Sequence, residues 1–356
     1  MIFATLFGSA TSLGLGALQI NEGLDVLFGV GGRDVVGLAI LVIAVLTLCF
    51  VVSAVSGVHR GIQWLSNTNM ILAVFLIFFL FVLGPTVFIL DTFVQSLGGY
   101  LANLIPMSFR TASYGDSAFV SGWTIFYWAW WISWAPFVGT FIARISRGRT
   151  IREFVVGVIL VPSVVSFVWF AVLGGAAINL QLSGTANISE AVAESQPAAL
   201  FSTLGAFPLS GLTSLIAIIL VALFFISGAD AASVVMGMLS SKGSLHPRAW
   251  NVIVWGVFTG AAAICLLAGA IQGSVDAAIT ALQSVAIASA APFVLIMIGL
   301  CFSVLKALRA ERVPDRAAPE AAAPPEPDRP TSRPCGAPAP QRMSLENIQE
   351  RDQRRV

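Results

Sequence analysis

Trp123-Thr124-Ile125-Phe126-Tyr127-Trp128-Ala129-Trp130-Trp131-Ile132-Ser133-Trp134 holds five of the nine tryptophans and one of the three tyrosines in the chain. It lies in an apolar run with no charged residue between Asp116 and Arg144. Helical spacing places Tyr127, Trp131 and Trp134 on one stripe, at i, i+4 and i+7, and Trp130 with Trp134 on a second, overlapping one. A wall of ring faces inside a bilayer suits a cation that cannot donate a hydrogen bond, quaternary ammonium above all. Each face contributes about 0.5–2 kcal/mol once water is excluded. The same stripe also suits plain helix packing or an interfacial belt, and spacing alone leaves both readings open. Trp123, near the helix end, reads as belt. Trp131 and Trp134 lie deeper, about half a membrane in at ~1.5 Å per residue.

Around this stretch the composition is that of a membrane protein. Hydrophobic residues make up 57% of the 356 and charged residues 10%, against about 25% charged in soluble domains. The net charge of +1 hides a segregation: nine basic and ten acidic residues up to Val304, then ten basic and eight acidic from Lys306 onward. This divides the chain into a transmembrane region, 1–308, and a tail, 309–356. The tail is rich in Pro, Ala, Arg and Glu, reads as disordered, and ends in a short basic segment with Arg351, Arg354 and Arg355. No nucleic-acid partner is expected. Cys49, Cys265, Cys301 and Cys335 form no CxxC or metal-like cluster, so neither a disulfide framework nor a metal site is supported. His59 and His246 lack an acid–base constellation, and no enzyme and no cofactor are expected. Residues 1–20 have no basic lead-in and do not read as a signal peptide.

A bilayer core of roughly 30 Å takes about 20 apolar residues per helix. Eight runs qualify: 2–20, 35–56, 69–90, 119–143, 153–177, 211–238, 249–271 and 286–308. Arg144, Arg147, Arg149 and Arg152 mark one loop as cytoplasmic. Alternation then puts the Arg60 loop, the Lys242/Arg248 loop and both termini inside, with the acidic loop 178–208 outside. Segment 91–118 alternates apolar and polar near helical period and is expected as an amphipathic helix on the outer surface. Pro136 and Gly139 suggest either an interrupted helix, of the kind that exposes backbone at a midplane site, or a harmless kink.

Three polar features stand inside the runs. Thr5 and Ser9, at i and i+4, put two hydroxyls on one face, as ligands for a small cation or as small residues that let helices approach. Asp230 is an acid at bilayer depth, where insertion costs about 2.5–3.5 kcal/mol. Such residues face cavities and ion pathways or pair across helices. Ser227-Gly228, just before it, is expected to loosen the helix and expose carbonyls.

Gly122 through Trp131, followed by Ala135-Pro136-Phe137-Val138-Gly139 and the Arg144–Arg149 run, resembles the diagnostic motif of the betaine/carnitine/choline transporter family. The similarity covers Met1 to about Lys306. It implies a fold of twelve spans built on two inverted five-helix repeats, of which this chain is similar to spans five to twelve. The fold class expected is therefore a partial inverted-repeat bundle of about eight transmembrane helices.

The resemblance implies secondary active uptake of quaternary ammonium compounds (glycine betaine, choline, carnitine) or related solutes such as ectoine, coupled to sodium or protons. Trp131 becomes the main substrate contact and Trp134 the lining of the route, with Trp128, Trp130 and Tyr127 in support. Thr5, Ser9 and Phe137 become one sodium site. Phe224, through its carbonyl, and Ser227 become a second, where Gly228 replaces another hydroxyl of the pattern. The resemblance also suggests a homotrimer in the cell membrane. Because the first run begins at Met1 with no polar lead-in, the chain is expected to be a truncated form that alone does not transport. The competing reading is a non-transporting membrane relic, an osmosensor or a partner subunit.

Overall fold

A computed structural model describes residues 1–30, 35–55, 59–113, 115, 117–146, 148–244, 247–269 and 275–310. The chain divides into Met1–Phe302 and Ser303–Val356. Of the second unit, only the end of the last helix is among the described residues. Arg147, both histidine side chains and the tail from 311 lie outside them.

The described residues form helices and no strands. In order they are α1 (Ile2–Phe28), α2 (Val35–Val55), α3 (His59–Leu83), α4 (Thr86–Ser108), α5 (Ser117–Phe119), α6 (Phe126–Ile145), α7 (Ile151–Leu182), α8 (Ile188–Glu194), α9 (Ala198–Gly205), α10 (Ser210–Ser240), α11 (Ala249–Ala268) and α12 (Val275–Ala310). A π-helical turn, Val120–Ile125, leads directly into α6. Thr150 starts α7 with a reciprocal cap: its hydroxyl accepts from the Glu153 amide, and the Glu153 carboxylate accepts from the Thr150 amide.

The helix at the centre is α1, not the aromatic one. Two-thirds of its most apolar window is buried (67%), whereas no other span exceeds 33%. It packs against α2, α6, α9, α10 and α11. Its sequence explains why. In lipid, helices associate through close packing rather than through water expulsion, so small residues mark the contacts. A Cβ at Gly16 would collide with the Phe225 ring of α10, and one at Gly8 with Ser133 of α6. At Gly14 it would lie 2.7 Å from Leu282 of α12, and at Gly23 2.6 Å from Ile218 of α10. The main core gathers around this axis, with Leu13, Ile43, Phe50, Leu80, Phe201 and Leu282 among its fully buried members.

Eight helices among the described residues are long and apolar enough to cross a membrane, and the chain is a multi-pass membrane protein. Their membership differs from the expected set. Thr86–Ser108 qualifies, although a surface helix was expected over 91–118. Phe126–Ile145 does not, because four indoles and a phenol replace aliphatic side chains there. The 69–90 boundary also moves. Proline has no amide hydrogen and pushes the preceding residue out of the helical region. Gly84-Pro85 therefore ends α3 at Leu83, and the Thr86 hydroxyl donates to the Phe81 carbonyl at 2.7 Å. From there α4 runs antiparallel along α7, with Ile89 against Gly175 and the Tyr100 ring 5.7 Å from Phe167.

Three further expectations are corrected. The first helix runs to Phe28 rather than residue 20, because Asn21, Glu22 and Asp25 turn toward one side pocket and the stop comes at Gly29, in the left-handed region at φ 64°. The segment 178–208 is not a plain loop: it carries α8 and α9, and buries Phe201 and Leu204 in the main core. At Ser227-Gly228 α10 is not loosened, and of the two readings open at Pro136 and Gly139 the continuous helix is the one found in α6. There the Thr140 hydroxyl donates to the Pro136 carbonyl at 2.7 Å.

Candidate functional site

The antiparallel contact of α1 with α6 builds the site. At Gly8 the missing side chain lets α6 approach, and both deep indoles on that face then reach α1. Trp134 Nε1 donates to the Gly8 carbonyl at 3.3 Å, and Trp130 Nε1 donates to the Ser12 hydroxyl at 2.9 Å. Ser12 donates in turn to the Gly8 carbonyl at 3.0 Å. Satisfying both indole N–H groups fixes the rings, since an unpaired buried donor costs about 1–3 kcal/mol. Ser12 lies about 15 Å along α1 from Ile2, at ~1.5 Å per residue.

Beside these rings is a cavity of about 240 Å³ lined by Ser12, Tyr127, Trp130, Trp131, Trp134, Phe224 and Phe225. None of those side chains is ionic. The walls are ring faces, with the Ser12 hydroxyl as the polar group between them. Toward the start of α6 a second cavity of about 320 Å³ is lined by Trp123, Phe126, Tyr127, Trp130, Gln196 and Gln283, among others. Tyr127 and Trp130 line both volumes. Further aromatic contacts hold the walls: Trp123 stacks on Tyr127 at 5.5 Å, and buried Phe126 stacks on Trp130 at 5.4 Å. Below, a crevice lined by Ser9, Ser12, Trp134, Phe224 and Gly228 leads onward along α1.

Tyr127, Trp130, Trp131 and Trp134 thus come together on one cavity. Trp128 does not line it. It is 68% exposed, while Trp131, 72% exposed, lines the cavity. Trp123, 48% exposed, lines the second volume. Sequence reasoning passed over Ser12, Phe225, Phe126 and Gln196. Ser12 follows Thr5 and Ser9 at helical spacing, which is the signal that finds it.

The groups expected to hold cations divide into two places. Thr5 is 1% exposed, and its hydroxyl has no hydrogen-bond partner; Ser9 is also buried, one turn further along α1. The Gly8–Trp134 register brings Phe137, buried and 5.6 Å from the Trp134 ring, level with this turn. An orphaned buried hydroxyl is what an oxygen-seeking cation needs, so these residues fit one. At the second place the Ser227 hydroxyl donates to the Phe224 carbonyl at 3.0 Å, so the two expected ligands are engaged with each other.

Asp230 is 1% exposed and faces α2, not the aromatic cavity. One carboxylate oxygen accepts from the Ser53 hydroxyl at 2.9 Å, and the other has no partner. Arg144 reaches the C-terminal end of α10, with its guanidinium 3.7 Å from the Met238 sulfur; Arg149 and Arg152 are exposed.

Comparison with known proteins fits this arrangement. Residues 1–313 match the family described as BCCT, betaine/carnitine/choline family transporter. The chain is 45% identical over 313 residues to the glycine betaine transporter OpuD of Bacillus subtilis, covering 87% of this chain and 59% of that protein. It is 42% identical over 308 residues to the ectoine/hydroxyectoine transporter of Virgibacillus pantothenticus, covering 86% and 60%. It is 40% identical over 310 residues to the betaine/ectoine transporter LcoP of Corynebacterium glutamicum, covering 86% and 48%. The chain thus spans about half to three-fifths of the length of these curated relatives. With the match running through every helix that builds the cavity, the chain belongs to the betaine/carnitine/choline family of transporters.

Proposed function

We propose that this chain forms the solute site of a secondary active transporter for quaternary ammonium compounds, with glycine betaine the leading substrate and choline, carnitine and ectoine as related ones. The observation that carries the reading is the cavity of about 240 Å³ walled by Trp130, Trp131, Trp134 and Tyr127, with no ionic side chain in its lining. A methylated nitrogen offers no hydrogen bond and a diffuse positive charge, so ring faces in a dry pocket hold it without a carboxylate. The names of the relatives support the same solute class. Trp131 is the main contact and Trp134 lines the way inward, with Tyr127 and Trp130 completing the wall. Trp128 supports the helix from outside.

In this reading a sodium ion at Thr5, Ser9 and Phe137 couples to the solute through the Ser9–Trp134 crevice. At Phe224 and Ser227 the mutual hydrogen bond leaves lone pairs on both oxygens for a second ion, and protons are the alternative coupling ion. Both termini face the cytoplasm, as the Arg144, Arg149 and Arg152 loop favours, and the protein assembles as a homotrimer, which mass photometry in detergent tests. Uptake of labelled glycine betaine by cells expressing this chain, with and without a sodium gradient, tests the function. Sodium-dependent accumulation above vector-only cells is the expected result.

A second reading has its own observation. Trp131 is 72% exposed, so the cavity has an open side that another subunit would close. The chain would then bind solute without transporting it by itself. Saturable betaine binding to purified chain with no uptake selects this reading.

A further inference from the structure

Of the four α6 rings on the aromatic cavity, only Trp134 also lines the crevice at Ser9. The cavity holds about 240 Å³ and the crevice about 10 Å³. One water takes roughly 10–15 Å³ on this measure, so a solute that fits the first has no room in the second. The indole between them lies across two glycines. Its five-membered edge rests at Gly8 of α1, where Nε1 donates to the carbonyl at 3.3 Å and Cδ1 would stand 3.2 Å from an added Cβ. Its far corner points at Gly228 of α10, where Cη2 would stand 4.0 Å from an added Cβ. Beyond its own stretch of α10, such a Cβ meets nothing nearer.

The two deep indoles are held differently. Trp130 donates to Ser12 at 2.9 Å and stacks on buried Phe126. The Trp134 bond is longer than the usual length of about 2.9–3.0 Å, and its carbonyl already accepts from Ser12 at 3.0 Å. Only a glycine faces its free corner. We propose that Trp134 is a gate between the aromatic cavity and the Thr5–Ser9 turn, and that Gly228 is the positioning residue that leaves space for the ring to swing. When the ring tilts toward α10, the cavity joins the crevice at Ser9. The route closes again just beyond, where Phe137, Ala232, Val235 and Met236 form a second buried cluster. The gate rests on the reading of the aromatic cavity as the solute site, and its test separates the two.

The probe is a methanethiosulfonate that carries a trimethylammonium group, so it shares the methylated nitrogen of the solutes and reacts with thiols. Ser9→Cys is made in the full chain with Cys49, Cys265, Cys301 and Cys335 changed to Ser. Labelling of the introduced thiol is followed by intact mass, in detergent and sodium-free buffer. Trp134→Phe removes the indole N–H and should speed labelling about fivefold, the factor for one ordinary hydrogen bond. Trp134→Ala should speed it further. Gly228→Val fills the space at the other end of the ring and should slow labelling about fivefold or more. Gly228→Ala adds only an ordinary contact and should leave the rate within about twofold. Opposite effects from two helices keep the test decisive if one variant fails to fold. Rates that neither the Trp134 nor the Gly228→Val changes move overturn the gate. Saturating glycine betaine should protect the thiol. Gate effects that persist without that protection support the gate and overturn the solute reading.

Discussion

The Trp130 indole donates to the Ser12 hydroxyl at 2.9 Å, so a single side chain on the central helix sets the orientation of a ring in the aromatic wall. Ser12→Ala leaves that indole N–H without its partner, a loss of about 1–3 kcal/mol. Betaine affinity, read from quenching of tryptophan fluorescence, should fall roughly 5–100-fold, and Ser12→Thr should restore most of it. Unchanged affinity in Ser12→Ala would detach Trp130 from the site.

Trp131 and Trp128 are similarly exposed, at 72% and 68%, yet only Trp131 lines the cavity. Trp131→Leu should weaken betaine binding by up to about 30-fold, since loss of one ring face removes at most about 2 kcal/mol, while Trp128→Leu, off the cavity, should retain it within about twofold. Equal losses in the two variants would indicate that aromatic exposure, not the cavity, governs binding.

How much of this was legible beforehand differs from residue to residue. The period of the aromatic helix places Trp130 and Trp134 together, and both do reach α1. It cannot separate Trp128 from Trp131, because three residues differ by only about 60° around a helix of 3.6 residues per turn. The π-turn at Val120–Ile125 left no mark in the residues that form it. Asp230 was conspicuous as the buried acid, but its direction, toward Ser53 and away from the cavity, comes from how α2 packs on α10. Pro136 left an interrupted helix and a harmless kink both open, and Ser227-Gly228 suggested a loosened one; neighbouring hydroxyls bonded to backbone carbonyls accompany unbroken helices at both.

Thr5 offers a test of cation binding that is independent of uptake. Its hydroxyl is buried with no partner, so Thr5→Val removes an unsatisfied group at nearly constant volume. Without sodium the variant should be as stable as the parent, or more so by up to about 1 kcal/mol. With sodium the parent should gain thermal stability and the variant should not. A sodium-induced shift of equal size in both would move the ion away from this turn of α1.

Ser53→Ala removes the hydroxyl that donates to the Asp230 carboxylate at 2.9 Å. The acid stays buried with neither oxygen paired, and stability should fall by about 1–3 kcal/mol. The double variant Ser53→Ala/Asp230→Leu should recover most of that loss, because an apolar pair has no unmet partner. Thermal unfolding in detergent reads both; a double variant no better than the single one would mean Asp230 contributes something beyond this pair.

Gly16→Ala drives a methyl group into the Phe225 ring and should destabilise the protein by about 1–3 kcal/mol, the usual range for overpacking. Gly98→Ala, inside α4 with open space around it, should be neutral or stabilising by up to about 1 kcal/mol. Thermal unfolding of the two variants side by side distinguishes a packing effect from a general intolerance of change at glycine.

The glycine notches along α1 act as detents. Phe225 sits in one, Leu282 in another and Ile218 in a third. Sliding a partner helix by a single residue, about 1.5 Å, would drive a ring or a branched side chain against whatever methyl or larger group stands next in the row. Each notch therefore resists axial travel of the helix seated in it.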